Sequence, residues 1–193
     1  MGLRDFSELK ENLNDRNFKF EISSNANDSI SRTFDHALKV QESISDVAQT
    51  LDSESLVVLI KDIHHYKQIT LLGLLKASSA AINLQVDLLM LGKLVSVKLN
   101  YNDQLEFITH ATQNDLVIIF SYTGTYLEKR LRFTKDIKNK PRIYLISGTK
   151  CKADSFIYKN IHFNSKLNQL SHPYQLLFVS SLIAQEYTHF IND

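Results

Sequence analysis

An α/β fold, a three-layer α/β/α sandwich around a central parallel sheet of about five strands, follows from three features of the sequence. From Ile69 onward, short runs of branched apolar residues alternate with segments of helical spacing, the pattern of repeated β-α-β units. Leu116 to Phe120 is an unbroken run of branched and aromatic residues, as expected of a strand buried on both faces. The chain of 193 residues is long enough for one domain that buries about 70% of its unfolded surface. The expectation is therefore a single domain over 1–193.

Taken in order, Met1 to Asn14 has Leu3, Phe6, Leu9 and Leu13 on one side of a short amphipathic helix. Phe18 to Ile22 reads as an extended connector. The polar stretch Asn25 to Ser29 offers Asp28 or Asn27 as a helix cap. In the long helix that follows, Ile30, Phe34, Leu38, Gln41, Ile44, Ala48 and Leu51 step by three or four. Asp52 caps a second helix to Tyr66, with Leu56, Leu59, Ile60 and Ile63 inward. Both helices precede the sheet and are placed to cover one of its faces or a partner subunit. Ile69 to Gly73 is the first strand, and Ser78 to Leu91 a helix closed by Gly92. Leu94 to Leu99 is a strand and Asp103 to Thr112 a helix. The central strand leads into a helix from Tyr126 to Ile137. Arg142 to Ile146 is a strand between Pro141 and the polar turn Ser147 to Asp154, and Ile161 to Phe163 is a last edge strand. Pro173 opens a closing helix that carries Leu176, Leu177, Val179, Leu182, Ile183, Tyr187 and Phe190.

Composition narrows the function classes. Hydrophobic residues at 44% and charged residues at 22% are ordinary for a soluble globular protein. A net charge of +1 argues against a strongly basic nucleic-acid face. One Cys allows no intramolecular disulfide, which points to a reducing cytosol, and no apolar run approaches the ~20 residues of a membrane span. A cytoplasmic location is expected.

The residues with chemistry to offer follow the central strand. Ser121, Tyr122, Thr123, Gly124 and Thr125 form a hydroxyl-rich turn that enters a helix. A helix start leaves backbone N–H groups without intrahelical partners, its dipole favours negative charge, and hydroxyls add neutral donors. The turn suits a bound anion, and the same residues also serve as an ordinary N-cap. The turn after the first strand, Gly73 to Ser79, lies at the same sheet edge in a parallel fold, where ligands of such sheets bind. Ser78 and Ser79 can assist an anion or cap their own helix, and Lys76 adds positive charge. Other patterns are weaker. There is no G-x-x-x-x-G-K-[ST] and no G-x-G-x-x-G after the first strand. His64 and His65 are adjacent rather than spaced as zinc ligands on a helix, and the other His residues show no ligand spacing, so no metal or cofactor is expected. Cys151, between Lys150 and Lys152, has no paired His and reads as inert. Glu106 and Glu128 sit on helices without a spacing that compels an acid–base role.

Asp115 to Glu128 resembles the signature of SIS (sugar isomerase) domains, an aspartate-led hydrophobic strand followed by S-x-[ST]-G-x-[ST]-x-E. Ser121, Thr123, Gly124 and Glu128 match it, while Tyr126 stands at a usual hydroxyl position and Thr125 lies one place early. The first turn resembles the family's G-x-G-x-S-x-x-x-A. There Gly73, Ala81 and Gly92 match, Leu75 replaces the second Gly, Ala77 replaces the Ser, and Ser78 follows. Within that superfamily the chain is most similar to the effector domain of RpiR-type transcriptional regulators. The similarity rests on Gly2 to Leu13, the long helix, the run from Leu51 to Gly73 and the closing helix; residues 1–25 resemble the segment after their helix-turn-helix domain.

The resemblance implies a bacterial, non-enzymatic domain that binds a sugar phosphate and dimerises. Its expected ligand residues are Ser121, Thr123, Gly124 and Thr125 on the phosphate, with Ser78 or Ser79 assisting. DNA would be reached only through a helix-turn-helix domain absent from this sequence. The chain is then either an excised effector domain or one whose natural start is Met1. Two alternatives stay open. One is an aldose–ketose phosphate isomerase with Glu128 or His172 as base, and the other is a dimeric scaffold without the ligand.

Overall fold

A computed structural model of the chain describes residues 28–124, 126, 139–149, 156–164 and 172–193. The helix expected over 1–14, all but Tyr126 of the one expected over 126–137, the connector at 18–22, Cys151 and most of the turn at 147–154 fall outside these residues.

The elements run α1 (Ser29–Thr50), α2 (Ser53–His65), β1 (Gln68–Gly73), a 3-10 turn (Leu75–Ala77), α3 (Ser78–Met90), β2 (Ser96–Lys98), α4 (Tyr101–His110), β3 (Asp115–Phe120), β4 (Arg142–Ser147), β5 (Lys159–His162) and α5 (His172–Asn192). The strands form one sheet in the order β2-β1-β3-β4-β5, and every pairing is parallel. The parallel α/β architecture read from the sequence is the one observed.

Its cause is visible in the strands. Side chains alternate between faces, so a strand covered on both sides must be apolar at every position. Leu116, Ile118 and Phe120 of β3 join a core with Ile69 and Leu71 of β1, Tyr144 and Ile146 of β4 and Ile161 of β5. That core is closed by Leu56, Leu59 and Ile63 of α2, Ala80, Leu84 and Leu88 of α3, and Leu176, Val179 and Ile183 of α5. Val117 and Ile119 point the other way and pack with Leu72, Ile143, Leu145, Ile108 of α4 and Tyr126. Each fully buried Leu, Ile, Val or Phe contributes roughly 1.5–3 kcal/mol over leaving it exposed.

Helix ends follow their sequence signals. Asp28 accepts from the Ser31 amide at 2.9 Å and Asp52 from the Ser55 amide at 3.0 Å, so each caps its helix. Gly92, at φ +78°, ends α3 in a Schellman turn in which Lys93 N donates to Leu88 O at 2.8 Å. Several details differ from expectation, β5 among them, which spans Lys159–His162. The Asn100 side chain accepts from the Asn102 amide, so α4 begins at Tyr101 rather than Asp103 and ends before Ala111. β2 is limited to Ser96–Lys98, the only three of its residues registered on β1, while Leu94 and Leu99 are exposed. In α1, Ser43 and Val47 are the buried positions, and Ile30, Phe34 and Leu38 form an exposed apolar stripe.

At the amino edge of the sheet, buried Asp62 of α2 receives the Arg142 guanidinium at 2.9 Å and the Tyr144 hydroxyl. The Arg142 guanidinium also lies 4.0 Å from the centroid of the Tyr158 ring. Burial, together with the Asp62 carboxylate, pushes the Tyr144 hydroxyl well above the usual tyrosine range, so it stays a donor. This bond and ion pair fasten α2 to β4 and leave the carboxyl edge of the sheet clear.

Partial burial raises the Asp52 carboxyl, but hydrogen bonds from Ser55 and the charges of His162 and Lys159 outweigh it, so its pKa lies below the ordinary 3.8. A depressed folded pKa stabilises above the unfolded value and loses that contribution as pH falls through the folded one. Asp52→Ala is expected to cost about 1 kcal/mol at pH 7. The gap to wild type should shrink as the pH falls below about 3.8, which urea titrations at pH 7 and pH 3 measure.

Candidate functional site

In the sheet register Gly73, the last residue of β1, sits beside Phe120, the last of β3. The turns at 74–79 and 121–124 therefore leave the same carboxyl edge from neighbouring strands. From β1 the chain crosses to β2 on one side of the sheet, and from β3 to β4 on the other. β1 and β3 flank the point where the direction of winding reverses, which is where open parallel sheets carry a ligand crevice.

The first turn is tight. A Cβ on Gly73 would lie 2.7 Å from the Ala77 carbonyl oxygen, so no side chain fits there. Leu75 follows at φ +52°, left-handed backbone that costs a non-glycine residue strain, with its side chain 65% exposed. This is the position where the SIS pattern has a glycine. The turn is held by Ala77 N donating to Leu74 O at 3.0 Å and by the Ser78 hydroxyl donating to Leu75 O at 2.7 Å. Ser78 is half-buried and Ser79 exposed.

In the second turn Ser121 is buried, and its amide donates to Ile146 O at 3.0 Å, extending the ladder to β4. Gly124, at φ +70°, donates its amide to Ser121 O at 3.0 Å. The sequence suggested outward-facing amides through this turn; these two are engaged instead, one by the sheet and one by the turn. Tyr122 is buried; its carbonyl accepts from the Gly148 amide at 2.9 Å, and its ring lies over Gly148. A Cβ on Gly148 would sit 3.0 Å from that ring. Thr123 is exposed, and its carbonyl accepts from the Thr149 hydroxyl at 2.9 Å. Of the expected ligand residues, Ser78, Ser79, Ser121, Thr123 and Gly124 thus belong to two turns at one edge. Thr125, Glu128 and the His172 side chain lie outside the described residues.

Gln104 was not singled out from the sequence, yet it links the end of β1 to the residues just beyond the second turn. It is fully buried on α4. Its Nε2 donates to Gly73 O at 3.0 Å and to Lys98 O at 2.7 Å, while its Oε1 accepts from the Tyr126 hydroxyl. Burial, then the neighbouring Tyr101, pushes the Tyr126 hydroxyl well above the usual range, so it remains a donor. A legible signal existed, because Gln104 stands one helical turn before buried Ile108 on the inward stripe.

A cavity of about 430 Å³ opens at the opposite edge, lined in part by Lys67, Gln68, Ser96 and Asp115. Its lining includes one lysine and one aspartate and no part of either hydroxyl turn. Among the described residues no three His, Cys, Asp or Glu side chains gather as a metal set, and no helix is long and apolar enough to cross a membrane.

Fold and edge define a parallel α/β domain with two hydroxyl-bearing turns side by side where β1 and β3 meet. No family model and no curated protein matches the chain. Solved structures do. The Vibrio vulnificus NanR protein complexed with ManNAc-6P aligns with a TM-score of 0.70 at 14% identity, over 81% of this chain and 62% of that one. An E. coli CFT073 protein in complex with a ligand aligns at 0.70 and 13% identity, over 86% and 94%. The sugar isomerase domain of the RpiR transcription factor from Sphaerobacter thermophilus aligns at 0.61 and 13%, over 81% and 89%. Sugar-phosphate isomerases are named among further matches. The fold is that of SIS domains, shared with the RpiR sugar isomerase domain. This chain spans less than two thirds of the NanR chain.

The first turn makes two opposite demands. Gly73→Ala should destabilise by about 1–3 kcal/mol, because backbone must shift to admit the methyl group. Leu75→Gly should stabilise by about 0.5–1 kcal/mol, the relief of left-handed strain less the added freedom of the unfolded chain. Thermal unfolding of both variants measures the two signs.

Proposed function

We propose that this chain is a sugar-phosphate-sensing effector domain of the RpiR type, one that binds its ligand without transforming it. The observation that carries this reading is the placement of two hydroxyl-bearing turns side by side where the sheet reverses its winding. Ser121, Thr123, Gly124 and Thr125 would take the phosphoryl group, with Ser78 or Ser79 assisting. Neutral hydroxyls hold a phosphate by charge-assisted hydrogen bonds without moving a proton. Neither turn contains a His, Asp or Glu, the side chains an aldose–ketose proton transfer needs closest to the sugar. The ManNAc-6P bound in the NanR structure supports the same ligand class.

The domain works as a cytoplasmic homodimer on this reading. Its surface supports that: Ile82, Val86, Leu89 and Met90 form an exposed apolar ridge on α3, and Ile30, Phe34 and Leu38 another on α1. Ligand binding would bias the dimer geometry and so the spacing of attached helix-turn-helix domains, through which alone DNA would be reached.

Isothermal titration with a panel of hexose and amino-sugar phosphates, ManNAc-6P included, should give a dissociation constant below about 1 mM, and no aldose–ketose interconversion of any ligand that binds. Thr123→Val should weaken binding about tenfold or more through one lost bond to a charged ligand. Absence of binding at millimolar concentration overturns the reading.

The dimer has its own test. Val86→Asp with Leu89→Asp buries two carboxylates in an apolar contact and should raise the dimer dissociation constant at least about a hundredfold. Sedimentation equilibrium measures it.

A further inference from the structure

Gln104 bonds at once to three chain segments that border the crevice. Its two carbonyl partners, on Gly73 and Lys98, close the carboxyl ends of β1 and β2, and its hydroxyl partner, on Tyr126, lies just beyond the turn after β3. The partners fix the orientation of the amide. Two carbonyl oxygens require the N–H donors, and the phenolic hydroxyl requires the oxygen. Turned over, the amide would set oxygen against two carbonyl oxygens. Tyr126 occupies a position where the SIS pattern has a short hydroxyl residue, and here its hydroxyl reaches back into the protein. Its ring is buried with Leu72, Ile108 and Ile119 and meets Tyr101 edge-on at 6.5 Å. A fully buried amide with partners on both ends holds its neighbours in one arrangement, because breaking any limb leaves a polar group unpaired away from water.

We propose that Gln104 is a positioning residue for the crevice: through Gly73 and Tyr126 it holds the two turns at a fixed spacing, so that a phosphorylated ligand meets a site already formed. The ligand half of this proposal rests on the sugar-phosphate reading; the clip between the turns does not. Holding the walls in place beforehand removes an ordering cost from binding, so its loss should appear in affinity.

The test compares the full chain with Tyr126→Phe and Gln104→Met by hydrogen–deuterium exchange and by titration with ManNAc-6P. Tyr126→Phe keeps the ring and cuts one limb, so exchange should rise about tenfold around 121–126 and stay unchanged at 74–79. Gln104→Met should raise exchange in both turns while amides inside β3 and β4 keep their protection. The ManNAc-6P dissociation constant should rise about tenfold in Gln104→Met. A uniform rise across the sheet, or no rise in either turn, overturns the clip. Localised exchange with unchanged affinity overturns the positioning role. Wild-type protein that binds neither ManNAc-6P nor any other sugar phosphate of the panel overturns the sugar-phosphate reading and the ligand half, while localised exchange still upholds the clip. If Gln104→Met does not fold, the exchange and affinity of Tyr126→Phe decide by the same criteria.

Discussion

Burial of β3 on both faces is the constraint from which the rest of the molecule follows. Leu116, Ile118 and Phe120 face one layer and Val117 and Ile119 the other, and none of the five is exposed. A strand so placed cannot lie at the edge of a sheet; it needs neighbours on both sides and helices above and below. Parallel neighbours then require crossovers, and the crossovers send β1 and β3 off in opposite directions. The two turns meet at one edge because of that topology, not because either sequence seeks the other.

The edge so created presents Ser79, Thr123 and the apolar Leu75 outward and is tied where it meets the core. Tyr122 anchors the second turn over Gly148, and Gln104 ties the first turn to Tyr126. The fastenings use backbone carbonyls and buried side chains, which leaves exposed Thr123 and Ser79 at the surface of the turns. The ion pair of Asp62 and Arg142 acts at the other end of the strands, away from the carboxyl edge. The solved structures with the same fold include ligand-bound proteins.

Much of this could be read from residue order. The apolar run at 116–120, Asp52 before a helix and Gly92 after one are signals whose physics is local, and each fell where expected. The start of α4 was missed by two residues, because Asn100 takes the capping role and Asp103 merely follows inside the first turn. The exposed stripe of α1 has the spacing of a buried face; periodicity shows which residues share a side and not what covers them. In the candidate site, the adjacency of the turns followed from topology alone. The engagement of the Ser121 and Gly124 amides did not, since it depends on the carbonyl of Ile146 across the sheet and on a tight turn. Gln104 escaped for the same reason: two of its partners, Gly73 and Tyr126, are distant in the chain and reach it only once the strands are aligned.

The all-parallel ladder also governs how the chain reaches its native state. Among the described residues there is no hairpin to form first, so each strand pairing must close a sizeable loop before it gains anything. The larger core is sealed last by Leu176, Val179 and Ile183 of the final helix, all buried. During synthesis, the nascent sheet therefore keeps part of one greasy face, the part α2 and α3 do not cover, open until α5 has left the ribosome, an interval in which a holding chaperone has most to do.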